Sequence, residues 1–344
     1  MRDLDTLPKV VLHDHLDGGL RPATVLDLAR SIGYRGLPGD DEATIARFFD
    51  QGAASSLESY LDVFRHTSGV MQTPEALERV AFEAIADHAA EGVVYAEVRF
   101  APSLHMRLGM TRSEAIAAVL DGLAAASDAL GVTTGLIVDA LRQDDDSLDV
   151  ASAAASFAGK GVVAFDLAGP ERGFPASDHA EACGLAVEAG LHLTIHAGEG
   201  DGVASIAGAL EVGAERIGHG VRIIEDTSSG AGRVKSLGPV ASRVLDERVP
   251  LEVCPTSNLH TGMYASAEAH PIGALYRAGF AVTLNTDNRL MSGITMTDEF
   301  ALVVSHQGFS RQDLRSVTLR AVEAAFCSEE VRSATRERVL AGFA

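Results

Sequence analysis

The chain has 344 residues, of which 47% are hydrophobic, and it carries a formal net charge of −20. A chain of this length and composition can bury a full core, whereas its strong negative charge disfavours nucleic acid and anionic membranes as partners. Three widely spaced cysteines form neither a disulfide framework nor a Cys-x-x-Cys zinc site, and neither a signal-peptide pattern nor a long apolar run is present, so we expect a cytoplasmic protein without a membrane span.

The first predicted strand is the apolar run at residues 10–12, which ends in His13, Asp14 and His15. Side chains two positions apart in an extended chain share a face, so His13 and His15 can both contact one cation. A His-x-His pair is a weak signal by itself because such pairs also occur by chance. The pair predicts a metal site only if the chain supplies further ligands.

Residues 22–91 are predicted to form an inserted layer of helices, the clearest at 74–91 with Pro74 at its first position. Strands and helices then alternate. Thr111 and Glu114 form a capping box that begins one helix, and Gly131 ends it. Further strands are predicted at residues 93–100, 133–138, 161–167, 192–196, 216–219, 250–254 and 281–286.

This alternation of eight apolar strands with helices favours a (β/α)₈ TIM barrel over an open doubly wound sheet. Helical patterns at 297–307, 311–326 and 329–341 complete the outer ring and add extra C-terminal helices. No linker or repeat interrupts the alternation, so we expect one domain over residues 1–344. The acidic run at 144–146 is expected to be a solvated loop.

Polar residues gather where the predicted strands end, which is where a barrel of this class places its chemistry. Four strands contribute, including the first. Besides His13 and His15, their residues are Asp17, His196, Glu199, His219 and Asp287. Each has an ordinary explanation when taken alone, as a packed histidine or a turn-forming aspartate. Their shared position favours a function, because three imidazoles and one carboxylate suit Zn²⁺ with room for water.

One metal ion is expected rather than two. Binuclear barrel hydrolases usually need a carbamylated lysine on a middle strand, and none of the three lysines, Lys9, Lys160 and Lys235, lies at the carboxyl end of a predicted strand. Five other histidines are expected to be structural or on the surface: His66, His88, His179, His192 and His306. Three more lie in loops and stay open as substrate contacts: His105, His260 and His270.

Together these residues resemble the adenosine deaminase family of the metal-dependent amidohydrolase superfamily. The matching segments run in family order at residues 12–18, 165–169, 196–199, 217–220 and 285–287. The resemblance implies one Zn²⁺ per subunit, which activates a water and is held by His13, His15, His196 and Asp287. It also implies that Glu199 is the acid that protonates purine N1, and that His219 is the base that orients and deprotonates the water.

The substrate implied by the resemblance is adenosine, and 2′-deoxyadenosine as well, with inosine and ammonia as the products from adenosine. The implied substrate contacts are His15, Asp17 at a ribose hydroxyl, the backbone of Gly169 at N3, and Asn288. The chain departs from the family pattern at Asn288 and Pro170, where aspartates are usual. An amide at Asn288 can donate to purine N7 without the protonation that an aspartate needs, whereas Pro170 has no side-chain donor or acceptor.

Other substrates and other classes of function stay open at this stage. Deamination of adenine, AMP or 6-aminodeoxyfutalosine would use the same chemistry, although the carboxylate of Asp17 argues against a phosphate near the sugar. A non-catalytic barrel that binds a nucleoside or a protein partner would not need an intact ligand set. A sugar-phosphate isomerase would need a Gly-rich phosphate loop, which the segments 254–258 and 287–289 do not resemble. The oligomeric state does not follow from the sequence.

Overall fold

The structure is a computed structural model that describes residues 3–52, 62–230 and 233–344. Eight parallel strands lie side by side in the order in which they occur along the chain. They are β1 (Lys9–Val11), β2 (Val93–Phe100), β3 (Thr133–Leu141), β4 (Val162–Ala168), β5 (His192–Ala197), β6 (Arg216–His219), β9 (Leu251–Val253) and β10 (Val282–Leu284). The predicted (β/α)₈ TIM barrel is therefore confirmed.

The barrel closes just beyond the ends of β1 and β10. Asp14 and Asp287 form a parallel bridge there. The His15 N–H donates to the Asp287 carbonyl at 2.8 Å, and the Asp287 N–H donates to the His13 carbonyl at 2.9 Å. The same seam thus closes the sheet and brings two histidines to a carboxylate that lies more than 270 positions away in the sequence.

Helices surround the barrel and cover its rim. The inserted layer after β1 contains Pro22–Ile32, Glu42–Phe49, Phe64–Val70 and Pro74–Ala90. Residues 53–61 of the predicted layer lie outside the described residues. The helices that follow β2 are Arg112–Leu130, Ser147–Ala155, Ala180–Glu188, Val203–Glu211, Pro239–Asp246, Pro255–His260, Ile272–Ala278, Arg289–Ser292, Met296–Gln307, Arg311–Ala324 and Glu329–Gly342. Among the described residues, no helix is long and apolar enough to cross a membrane.

Most local predictions agree with the structure. The predicted bounds of β2 and β6 match, and Thr111 and Glu114 form the expected capping box. The strands predicted at 250–254 and 281–286 are shorter than expected, because the residues after them leave the sheet to form the rim of the barrel. The acidic run at 144–146 is a loop, as predicted.

A two-stranded antiparallel hairpin was not predicted. It consists of β7 (Thr227–Gly230) and β8 (Arg233–Leu237), and it follows the sixth barrel strand. Its sequence is rich in serine and glycine and lacks an alternation of apolar residues, so it has the composition of a loop. The hairpin is an addition between β6 and β9 and leaves the order of the barrel strands unchanged.

Candidate metal centre and active site

The predicted ligand atoms converge at the carboxyl end of the barrel. Asp287 Oδ1 lies 3.3 Å from His13 Nε2 and 3.4 Å from His15 Nε2. His15 Nε2 lies 3.2 Å from His196 Nε2. His13 Nε2 is buried and has no hydrogen-bond partner among the described residues. The four side chains come from the ends of three strands, β1, β5 and β10, which explains why residues so distant in sequence meet.

A carboxylate lies behind the other ring nitrogen, Nδ1, of each of these histidines. The pairs are His13 with Glu252 at 2.9 Å, His196 with Asp166 at 2.8 Å, and His15 with Asp139 at 3.4 Å. A carboxylate in this position favours the proton on Nδ1, and the lone pair of Nε2 is then free to bind a cation.

These distances fit a tetrahedral cation. Ligand atoms about 2.0 to 2.1 Å from a central ion are separated from one another by about 3.3 to 3.4 Å in a regular tetrahedron. Three of the six separations among the four predicted ligand atoms are 3.2, 3.3 and 3.4 Å. The donor set and its spacing therefore suit a divalent cation with nitrogen and oxygen ligands.

His219 adds a fourth imidazole to the cluster. His13, His196, His219 and Asp287 are all buried, and each offers a ligand atom within 4.8 Å of those of the other three. These residues form a buried metal site. His219 differs from the predicted ligands because its Nε2 lies 3.4 Å from Glu199 Oε2, and its Nδ1 faces an amide rather than a carboxylate.

The amide that faces His219 belongs to Asn258. Its Nδ2 lies 3.0 Å from His219 Nδ1, and its Oδ1 lies 3.2 Å from His270 Nε2. In this orientation the amide donates to His219, so the neutral ring carries its proton on Nε2. The opposite orientation places the proton on Nδ1 and leaves Nε2 free to accept one. Burial also lowers the pKa of His219 well below its ordinary value, which keeps the ring neutral.

The negative charge of the carboxylates behind the histidines is balanced by Arg99, which is completely buried. Its Nη1 donates to Asp166 at 2.7 Å, and its Nη2 donates to Glu252 at 2.7 Å. One guanidinium therefore holds two of the carboxylates that orient metal-site histidines. Glu252 also accepts from the Arg216 Nε at 2.6 Å, so the metal site rests on a buried network of ion pairs.

Two groups at the cluster have pKa values that bear on metal binding. Burial opposes charge on Asp287, but its close contact with His13 and the charges of the neighbouring histidines outweigh burial and hold the pKa of Asp287 well below its usual range. Burial also opposes protonation of His15, but its contact with Asp139 outweighs burial and raises the pKa to about 9. A cation must therefore displace a proton from His15, and binding strengthens as the pH rises.

Glu199 lies beside the cluster with its carboxyl group buried. Burial is the main cause that raises its pKa well above the ordinary value, and the negative charges of Asp287 and Glu171 add to the effect. The group is therefore suited to hold a proton at neutral pH. This agrees with the acid role that the sequence resemblance implies.

A cavity of about 270 Å³ opens onto these groups. His13 does not line this cavity. All the other predicted metal, catalytic and substrate residues do: His15, Asp17, Gly169, His196, Glu199, His219, Asp287 and Asn288. The remaining wall is partly apolar and includes Phe64, Leu104 and Leu141. A concave, largely apolar site with a few buried polar groups is typical of small-molecule binding.

Two of the predicted substrate side chains have a buried oxygen without a hydrogen-bond partner among the described residues: Asp17 Oδ1 and Asn288 Oδ1. Burial raises the pKa of Asp17 to about 6. Asn288 packs against the Cα of Gly18, where an added Cβ would collide with the amide. Pro170 lines the cavity next to Gly169, so this departure from the family pattern lies in the site itself.

The remaining histidines do not line the cavity. His88 is buried and lies 3.3 Å from Asp14, which agrees with the structural role expected for it. His270 reaches the site indirectly, through Asn258. The residues that support the metal site were not predicted, although each is a charged residue within an apolar strand, which is a usable signal: Arg99, Asp139, Asp166 and Glu252.

Comparison with known proteins agrees with the geometry. The profile of the family described as "Adenosine deaminase" matches residues 8–341. A curated protein named adenosine deaminase from Mycobacterium ulcerans is 46% identical over 345 residues, covering 96% of this chain and 95% of that protein.

Solved structures are similar over nearly the whole chain. The crystal structure of an adenine deaminase from Arthrobacter aurescens has a TM-score of 0.88 and 28% identity, and the match covers 97% of this chain and 98% of that one. An amidohydrolase from Burkholderia ambifaria with bound Zn has a TM-score of 0.86 and 25% identity, covering 99% and 91%. The chain therefore belongs to the adenosine deaminase family, within the amidohydrolase superfamily.

Proposed function

We propose that this enzyme deaminates adenosine, and also 2′-deoxyadenosine, by hydrolysis, releasing ammonia and giving inosine from adenosine. The observation that carries the proposal is the convergence of a metal-binding cluster, a buried acid and a neutral imidazole on one small cavity. Similarity to adenosine deaminases at 46% identity over nearly the full length supports the same substrate.

The proposed cofactor is one Zn²⁺ per chain, held by His13, His15, His196 and Asp287. Three separations of 3.2 to 3.4 Å among their ligand atoms match those of a tetrahedral site and support this set, and so does the bound Zn of the Burkholderia ambifaria structure. Bound zinc would supply a Lewis acid that makes a water nucleophilic near neutral pH. The acidic side chains Asp139, Asp166 and Glu252 orient the three histidines for it.

Glu199 and His219 are proposed to move the protons. Protonated Glu199 donates to purine N1, which makes C6 more electrophilic. The proposed step uses the opposite orientation of the Asn258 amide, which places the proton of His219 on Nδ1 and leaves Nε2 free. His219 then orients the water and accepts its proton at Nε2 as the water attacks C6. The C6 amino group then takes the proton held by His219 and leaves as ammonia, while the C6 hydroxyl returns a proton to Glu199 and becomes the carbonyl of the product. The 3.4 Å separation of His219 Nε2 and Glu199 Oε2 places the two groups on the same side of the cavity.

The remaining contacts fix the nucleoside. Asp17 accepts a hydrogen bond from a ribose hydroxyl, the Gly169 N–H donates to N3, and the Asn288 amide donates to N7. The unpartnered oxygen of Asp17 supports the first of these contacts. The second is favoured by the positive φ of Gly169, +87°, because glycine adopts this conformation without strain and lets a ligand approach the backbone closely. His15 contributes to the cavity wall as well as to the metal site.

The location that we propose for the protein is the cytoplasm, as expected from its sequence.

A substrate panel tests this function. Metal-assayed protein is incubated with adenosine, 2′-deoxyadenosine, adenine, AMP and 6-aminodeoxyfutalosine, and ammonia release is measured. We expect the highest kcat/KM for the two nucleosides. Adenine is the second candidate because the Arthrobacter aurescens neighbour is named an adenine deaminase, and a higher kcat/KM for adenine would overturn the proposal.

A further inference from the structure

The turn that carries Glu199 is held by a buried side chain that the proposed reaction does not use. Glu171 Oε1 accepts the N–H groups of Glu199 and Gly200, each at 2.7 Å. Its Oε2 accepts the N–H of Gly198 at 2.8 Å. One carboxylate thus binds three successive backbone donors. Glu171 is 3% exposed and is not among the described residues that line the cavity.

Three successive N–H groups that point to one centre form an anion-binding nest. The positive φ of Gly198, +73°, turns the chain so that these donors face the same side. In this protein the anion is a side chain from the neighbouring loop. Among the described residues, Glu171 is the partner that the structure gives to the N–H groups of all three residues.

The carboxylate also connects two parts of the active site. Glu171 lies two residues after Gly169 in the loop that follows β4, whereas Gly198 to Gly200 form the turn that follows β5. Gly169 and Glu199 both line the cavity. A displacement of the turn would therefore change the position of the Glu199 carboxyl group relative to a purine held by Gly169.

We propose that Glu171 is a positioning residue that fixes the Glu199 carboxyl group against the purine by binding the three N–H groups of the turn at 198–200. The inference rests on the proposed deaminase function, in which Glu199 donates a proton to N1. It predicts a loss in the chemical step rather than in substrate binding, because Glu171 itself does not reach the cavity.

The main test is Glu171→Gln. An amide has one acceptor oxygen, so its NH₂ group must face at least one of the three N–H donors. We expect kcat for adenosine to fall by about 100-fold, the size of effect that a displacement of about 1 Å produces in an active site. The inhibition constant for the product inosine and the metal content should stay close to the wild-type values. The matched control is Glu188→Gln, the same change at an exposed glutamate of the helix Ala180–Glu188.

A second variant tests the nest directly. Glu171→Ala leaves the three donors without an anion, and added sodium formate can replace the missing carboxylate. We expect formate to raise kcat of Glu171→Ala and to leave kcat of the wild type and Glu188→Gln unchanged. Should Glu171→Gln fail to fold, Glu171→Asp takes its place under the same criteria, because its shorter carboxylate reaches fewer of the donors.

The outcomes separate the inference from the function on which it rests. If the wild type and Glu188→Gln are active and Glu171→Gln has their kcat, the inference fails and the proposed function stands. A loss of activity that only follows a loss of metal also overturns the inference, since it shows a general structural role. If the wild type and the control release no ammonia from adenosine, the proposed function fails and the inference falls with it.

Discussion

Replacing Glu252 by glutamine tests how the barrel interior supports the metal site. Glu252 is completely buried and accepts from His13 Nδ1 at 2.9 Å and from Arg99 Nη2 at 2.7 Å through the same oxygen. Its other oxygen accepts from Arg216 Nε at 2.6 Å and from Thr194 Oγ1 at 2.8 Å. An amide nitrogen on either side therefore faces donors, so no orientation of the glutamine keeps all four bonds.

Two losses follow from this change. If the amide nitrogen faces His13, the ring must accept at Nδ1 and carry its proton on Nε2, where it cannot bind a cation. We expect the affinity for Zn²⁺ to fall by about 10- to 100-fold, the usual effect of removing such a partner. The free energy of unfolding of the metal-free protein should fall by about 3 kcal/mol, because Arg99 and Arg216 each lose one of the two buried carboxylates that they contact.

The assays are competition with a chelator for metal affinity and urea unfolding of the metal-free protein for stability. The matched control is Glu215→Gln, which changes a glutamate 2.9 Å from His192 Nδ1 at an exposed pair. We expect it to leave metal affinity unchanged and to cost less than about 1 kcal/mol. Wild-type metal affinity in Glu252→Gln would refute the claim that this carboxylate sets the tautomer of His13.

Three further variants test the site. Glu199→Gln should keep its metal and lose several orders of magnitude in kcat, because the amide cannot protonate N1; near-normal turnover would contradict the acid assignment. In the wild type, kcat should fall at alkaline pH as Glu199 loses its proton, since its pKa is raised well above the ordinary value. His15→Ala should lose metal and activity together, and full metal occupancy by elemental analysis would count against the ligand set. Gly18→Ala should raise KM for adenosine because its Cβ displaces the Asn288 amide, with metal content unchanged; an unaltered KM would show that Asn288 does not contact the substrate.

The architecture and the main site could be predicted from sequence for a physical reason. Buried parallel strands are continuous apolar runs, and their carboxyl ends meet at one rim, so polar residues at those ends must lie near one another. His13, His196 and Asp287 meet as expected. The single domain over residues 1–344 stays a prediction, as do the zinc count and the cytoplasmic location.

The supporting residues escaped prediction because their partners are distant in sequence. Asp166 and Glu252 lie within apolar strands and contact His196 and His13 through the barrel interior. A charged residue in such a strand indicates a buried pair, but the strand order and register decide which partner it meets. The role of Glu171 was harder to predict than those of Asp166 and Glu252. Its partners are backbone N–H groups, which no pattern of side chains in the sequence identifies.

In the proposed function, deamination of adenosine requires one divalent ion bound where His13, His15, His196 and Asp287 meet. The most direct measurement is a titration of chelator-treated protein with Zn²⁺, following ammonia release from adenosine together with bound metal. We expect activity to rise linearly and to reach its plateau at one bound ion per chain. Full activity of the metal-free protein, or a plateau only at two ions per chain, would contradict it.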